Sequence, residues 1–129
     1  MTEFKRSFSG APWEEDVGYC RALRAGNHIY VTGTAPVDAD GSIHSPGDGY
    51  RQTIRCIRII HEALEELGGS LDRVVRTRMF VTDIARWEEF GRGHREVFGD
   101  NPPATTLVEV RSLIHPDMLI EIEAEAVVD

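Results

Sequence analysis

An α+β domain is predicted, with one β-sheet covered on a single face by two helices. Three observations predict it. Apolar residues recur at helical spacing in two long stretches, about residues 49–67 and 86–98. Around them lie segments in which apolar and polar residues alternate. The order of these segments reads ββ–α–β–α–ββ, and two amphipathic helices need one apolar sheet face on which to bury their stripes.

The elements follow in chain order. Residues 3–8 predict a short edge strand. "YCRALRAG" followed by "NHIYVTG" reads as a hairpin turning at Gly26-Asn27, with Ile29 and Val31 on one face and His28, Tyr30 and Thr32 on the other. "PVDADGSI" is turn-rich, with Asp40-Gly41 at its tip. In the first long helix Tyr50, Ile54, Ile57, Ile60, Leu64 and Leu67 form the apolar stripe, and Gly68-Gly69 ends it. "RVVRTRMFVTD" is an alternating strand: Val75, Thr77, Met79 and Val81 face one side, Arg76, Arg78 and Phe80 the other. The second helix carries Trp87, Phe90, His94, Val97 and Phe98 on its stripe. Beyond Pro102-Pro103 two strands are expected, about 105–111 and 119–127. In the last, Ile120, Ile122, Ala124 and Ala126 oppose Glu121, Glu123 and Glu125. The charged face of the sheet is expected to hold Arg76, Arg78, Glu109, Arg111 and the three glutamates, with Leu107 and Phe80 among them. That mixture suits an interface between copies.

Composition narrows the function. A chain of 129 residues, 41% hydrophobic and 28% charged, reads as a single domain over 1–129. The net charge of -8 argues against broad nucleic-acid binding, which needs a basic face. Cys20 and Cys56 are too few and too far apart for a disulfide framework. The five histidines lack HxxxH or HExxH spacing, so no metal site is expected, and no phosphate loop or GxSxG motif calls for a cofactor or a serine nucleophile. "MTEFKRSFSG" has no apolar core of a signal peptide and no stretch reaches the ~18 apolar residues of a membrane span, so a soluble cytoplasmic protein is expected.

Among the carboxylates Glu121 stands out. It is the first acid of the last strand, next to the 113–119 connection, where a cleft mouth could form. A carboxylate between apolar strands can have a raised pKa and shuttle a proton or activate water; the alternative for Glu121 is an ordinary ion pair across the sheet face. Glu123 and Glu125 are expected to pair with Arg76, Arg78 or Arg111.

"VGYCRALRAGNHIYVTGTAPVD", "GGSLDRVVRTRMFVTDIARWEEF", "PPATTLVEV" and "LIEIEAEAV" together resemble the Rid family (reactive intermediate deaminase, also YjgF-like or liver perchloric-acid-soluble protein) over about residues 16–128. The resemblance implies a chorismate-mutase-like α+β unit, one mixed sheet with two helices on one face, and a homotrimer around a central barrel. It also implies a site between subunits that takes a small molecule. Deaminating members hydrolyse reactive enamines and imines. The first glutamate of their "EIEA" block, here Glu121, is linked to water activation. Tyr19 and Gly33 match further site positions. The arginine that clamps the substrate carboxylate in their "PAR" motif is replaced by Thr105, and a helix asparagine of the deaminase branch falls at Gly91. A guanidinium offers a carboxylate two charge-assisted bonds, a threonine one neutral donor. The expected ligand contacts are therefore the Thr105 hydroxyl, backbone amides near Thr105 and Leu107, and Gly33, with Tyr19 in the wall and Arg78, Arg76 or Arg111 as substitute cations, Arg78 foremost. The implied activity is hydrolysis or deamination of a small imine, enamine or carbonyl compound. The alternative is a non-catalytic protein holding a small metabolite in the same cleft. A ribonuclease is disfavoured by the negative charge and by the lack of a His/Lys acid–base pair.

Overall fold

The computed structural model describes residues 2–129. One six-stranded sheet contains β1 (Phe4–Ser7), β2 (Ala22–Ala25), β3 (His28–Thr34), β4 (Val74–Val81), β5 (Ala104–Glu109) and β6 (Ile120–Val127), with helices α1 (Pro12–Val17), α2 (Gly49–Glu66) and α3 (Trp87–Phe98). The strands lie in the order β1-β2-β3-β6-β4-β5. Only the β4–β5 pair is parallel, so the sheet is mixed. The β2–β3 turn falls at Gly26-Asn27, where Gly26 takes φ +61°, a value that favours glycine. Among the described residues no helix is long and apolar enough to cross a membrane.

Helix α2 starts where Asp48 accepts a hydrogen bond from the Arg51 amide at 2.9 Å. It lays Ile57, Ile60 and Leu64 on the sheet face formed by Ile29, Val31, Met79, Val81, Ile120 and Ile122. Each such side chain, once buried, contributes about 1.5–3 kcal/mol. Helix α3 adds Phe90 and Phe98. The two helices approach closely at Gly93, where a Cβ would lie 2.9 Å from the Thr53 methyl.

Several expectations about faces are corrected. Val75 is exposed and Val74 buried, because the β4–β6 register shifts between Val74 and Arg76 and bulges Val75 out. Leu107 and Glu109 do not lie on the charged face. Parallel pairing sets them beside Met79 and Val81 on the helix side, where Leu107 packs against the core and Glu109 accepts a hydrogen bond from the Ile84 amide. Side chains alternate with period two, so a register change of one residue turns a whole strand over. Trp87 is exposed rather than packed, and Tyr50 and Ile54 are only half-buried; the α2 stripe centres on Thr53, Cys56, Ile57, Ile60 and Leu64. Helix α1 was not expected. Its signal was a proline at the first position followed by acids in the first turn, "PWEED".

Candidate functional site

Where β3 ends, the chain leaves the sheet beside the start of β6. The N-terminal segment, α2 and the 113–119 connection close around that corner. They enclose a cavity of about 470 Å³. Phe8 and Trp13 come from the N-terminal segment, Tyr19 from the turn before β2, Ile59 from α2, and Ile114 and Met118 from the connection.

Glu121 enters this cavity from β6. Its carboxylate lies across Gly33, where an added Cβ would meet Oε2 at 3.0 Å. A side chain at 33 would press on the carboxylate, and its absence is what lets the acid lie over β3. Among the described residues Glu121 makes no hydrogen bond and no ion pair, although it is half-buried. Burial raises its carboxyl above the ordinary value; nearby Arg21 opposes this and Glu123 adds to it. Its neighbours on the strand behave otherwise. The Arg78 guanidinium lies 3.6 Å from Glu123 and 3.3 Å from Glu125.

Two buried polar assemblies hold this corner. Arg21, only 6% exposed, donates from Nε to Glu14 at 3.1 Å and from Nη1 to the Gly33 carbonyl at 2.8 Å and to Thr34 Oγ1 at 3.1 Å. Glu14 also accepts from the amide and hydroxyl of Ser9. One ion pair therefore ties α1 and the N-terminal segment to the end of β3. Gln52, fully buried, donates to the Asp117 carbonyl at 2.8 Å and accepts from the Leu119 amide at 2.8 Å. It pins the connection that delivers Glu121.

Of the residues singled out from the sequence, Tyr19, Gly33 and Glu121 meet in this cavity. Thr105, Leu107 and Arg78 do not line it within one chain. Thr105 lies on β5, the edge strand two places from β6, and Thr77, its register partner, sits three residues before Phe80, the partner of Glu121. Its hydroxyl turns to the helix side, 2.8 Å from Thr77 Oγ1, which is itself 2.8 Å from His94 Nε2. Burial lowers the pKa of His94 below its ordinary value. Arg78 is engaged by the two glutamates. The cations that do line the cavity, Arg21 and Arg55, were not foreseen. Arg55 donates from Nε to the Val37 carbonyl at 3.0 Å, 3.5 Å from Asp38, which also holds His44 at 2.9 Å. A sequence signal for Gln52 was available, a polar residue bordering an apolar stripe. None pointed to Arg21, whose partner Glu14 lies on the short helix α1.

The mixed sheet, its two long helices on one face and the corner cavity define a chorismate-mutase-like α+β domain. The profile of the Endoribonuclease L-PSP family matches residues 11–128. Rv2704 of Mycobacterium tuberculosis, described as a member of the YjgF/YER057c/UK114 family, is 43% identical and superposes with a TM-score of 0.88 over 98% of this chain and 100% of its own. The 3-aminoacrylate deaminase RutC of Acinetobacter baylyi is 34% identical, covering 84% of this chain and 85% of the relative. An uncharacterized Streptomyces coelicolor protein, SCO2049, is 36% identical over 95% of this chain and 90% of its own. The chain belongs to the Rid/YjgF family.

Proposed function

We propose that this protein hydrolyses a small imine or enamine to a carbonyl compound and ammonia at the Glu121 cavity. One observation carries the reading: Glu121 is a half-buried carboxylate with no partner, held above its ordinary pKa and aimed over Gly33 into an apolar-walled cavity. An unpartnered acid is a cost to the fold that a proton-transfer role explains. Glu121 takes a proton from water as the oxygen adds to the imine carbon, and returns one to the departing nitrogen. Gly33 leaves room for the Glu121 carboxylate, and Tyr19 forms the wall. The kinship with a 3-aminoacrylate deaminase supports this class of reaction.

The working form in this proposal is a homotrimer, in which the open edge of β5 from a neighbouring copy brings Thr105 and the backbone near Leu107 to the mouth of the cavity. Arg78 is then a support for Glu123 and Glu125 rather than a ligand clamp. The test is turnover of 2-iminobutyrate and of imines without a carboxylate, by wild type and Glu121→Ala. Turnover lost in the variant with its fold intact is expected; equal rates would remove Glu121 from the mechanism.

A second reading, a non-catalytic metabolite-binding protein, is favoured by Thr105, which the motif resemblance sets at the arginine position of the deaminating members. Ligand-dependent thermal shifts without any turnover would select it. Ribonuclease activity has less support, since no histidine or lysine lines the cavity.

A further inference from the structure

The charges around the cavity are unequally compensated. Its lining contains two cations, Arg21 and Arg55, and three acids, Asp38, Glu62 and Glu121. Both cations already have a carboxylate: Arg21 has Glu14 at 3.1 Å and Arg55 has Asp38 at 3.5 Å. Glu62 and Glu121 have no basic partner among the described residues; Glu62 stands at the exposed rim and Glu121 inside. By the resemblance to the Rid family Thr105 stands at the clamping-arginine position, and Arg78 is taken by Glu123 and Glu125. Within one chain, a carboxylate entering this space would meet two uncompensated acids and no cation free of a carboxylate, which is costly in a partly desolvated site. The remaining wall is apolar and aromatic: Phe8, Trp13, Tyr19, Ile59, Ile114 and Met118.

We propose that the substrate is a protonated imine with an apolar body and no carboxylate, an iminium ion drawn in by Glu121 and Glu62. This rests on the hydrolase reading and deepens it. The balanced step is R–CH=NH2⁺ + H2O → R–CHO + NH4⁺: a C–O bond forms, the C–N bond breaks, and Glu121 carries the proton from oxygen to nitrogen. Two-electron oxidation of a primary amine at its C–N bond is the class of reaction that supplies such an ion. The Arg55–Asp38 pair serves the walls, holding the 36–44 loop against α2.

Two measurements on the intact wild-type protein test this, one of them independent of turnover. In the first, binding of benzamidinium, a flat and stable cation, is compared with binding of benzoate by calorimetry. Preference for the cation by roughly tenfold or more is expected, the scale of one unpaired charge in a partly buried site. That preference collapses in Glu121→Gln and shrinks in the rim variant Glu62→Gln, whose exposed position carries little folding risk. In the second, imines released by a flavin oxidase from 2-phenylethylamine and from phenylalanine are compared; they differ by one carboxylate. A higher kcat/KM for the former is expected. Benzoate binding as well as benzamidinium, or a preferred phenylalanine imine whose turnover is lost in Arg55→Gln, would overturn the inference while leaving the hydrolase reading in place. Cation preference without turnover of either imine would sink the hydrolase reading and keep the charge selectivity.

Discussion

Glu121 and Gly33 work as a pair. The acid lies where a side chain at 33 would press on it, and it would have to give by a few tenths of an ångström. In Gly33→Ala the carboxylate end is expected to swing aside at little cost in stability, with turnover falling much more than melting temperature. The acid itself opposes folding at neutral pH. Its pKa is raised in the folded state, so the stability it allows is complete below the ordinary carboxylate value and is lost as pH rises through the raised one. Glu121→Gln is therefore expected to melt higher than wild type at pH 7, with the difference vanishing in acid, while turnover falls by about 10²–10⁴. Melting curves across pH and the imine assay on the same preparations check both. If ionised Glu121 is the base, the acid limb of the rate profile lies above the ordinary glutamate value. That this acid lies beside a connection was readable from its place at the start of an alternating strand. That it lacks a partner was not, because a partner could have come from any element of the chain.

Segments fared unequally. The long helices and the strands were legible from periodicity, since each buries one face and must repeat at its own spacing. Helix α1 is too short for a period to show, and it brings the acid that holds Arg21. Arg21→Ala would leave Glu14 buried without its cation; a loss of about 3–5 kcal/mol is expected in denaturant unfolding. The double replacement Glu14→Leu with Arg21→Met is expected to be far milder. Leu107 and Glu109 were placed on the wrong face because alternation tells which residues share a side, not which side is inward. The partner strand decides that, here β4 in parallel. The same pairing creates the chain Thr105–Thr77–His94. Thr77 is fully buried, so Thr77→Val strips His94 and Thr105 of their shared partner, with an expected cost of about 1–3 kcal/mol. His94 has a depressed pKa in the fold, so the stability it contributes is present above its ordinary value and is lost as pH falls through the depressed one. His94→Gln should flatten the acid side of the stability profile.

For the assembled protein, the sheet face away from the helices carries Tyr30 and Val108, 46% and 41% exposed, beside Phe80 and the Arg78 cluster. The proposed trimer covers this face, and sedimentation is expected to give three times the 14.5 kDa chain. Val108→Asp is expected to yield smaller species and to lower turnover in step, because Thr105 would no longer reach a neighbour's cavity. A Val108→Asp protein that stays trimeric would place the interface elsewhere. The sequence was enough for the class of fold and the position of the acid, because periodicity and residue identity are local properties; the arginine position held by Thr105 came from the family resemblance. Which carboxylates are neutralised, which cations are free, and that Arg21 and Arg55 share a cavity with Glu121 depended on folding. Charge compensation acts over a few ångströms of space, between residues such as Glu14, Gly33, Arg55 and Glu121 that lie far apart along the chain.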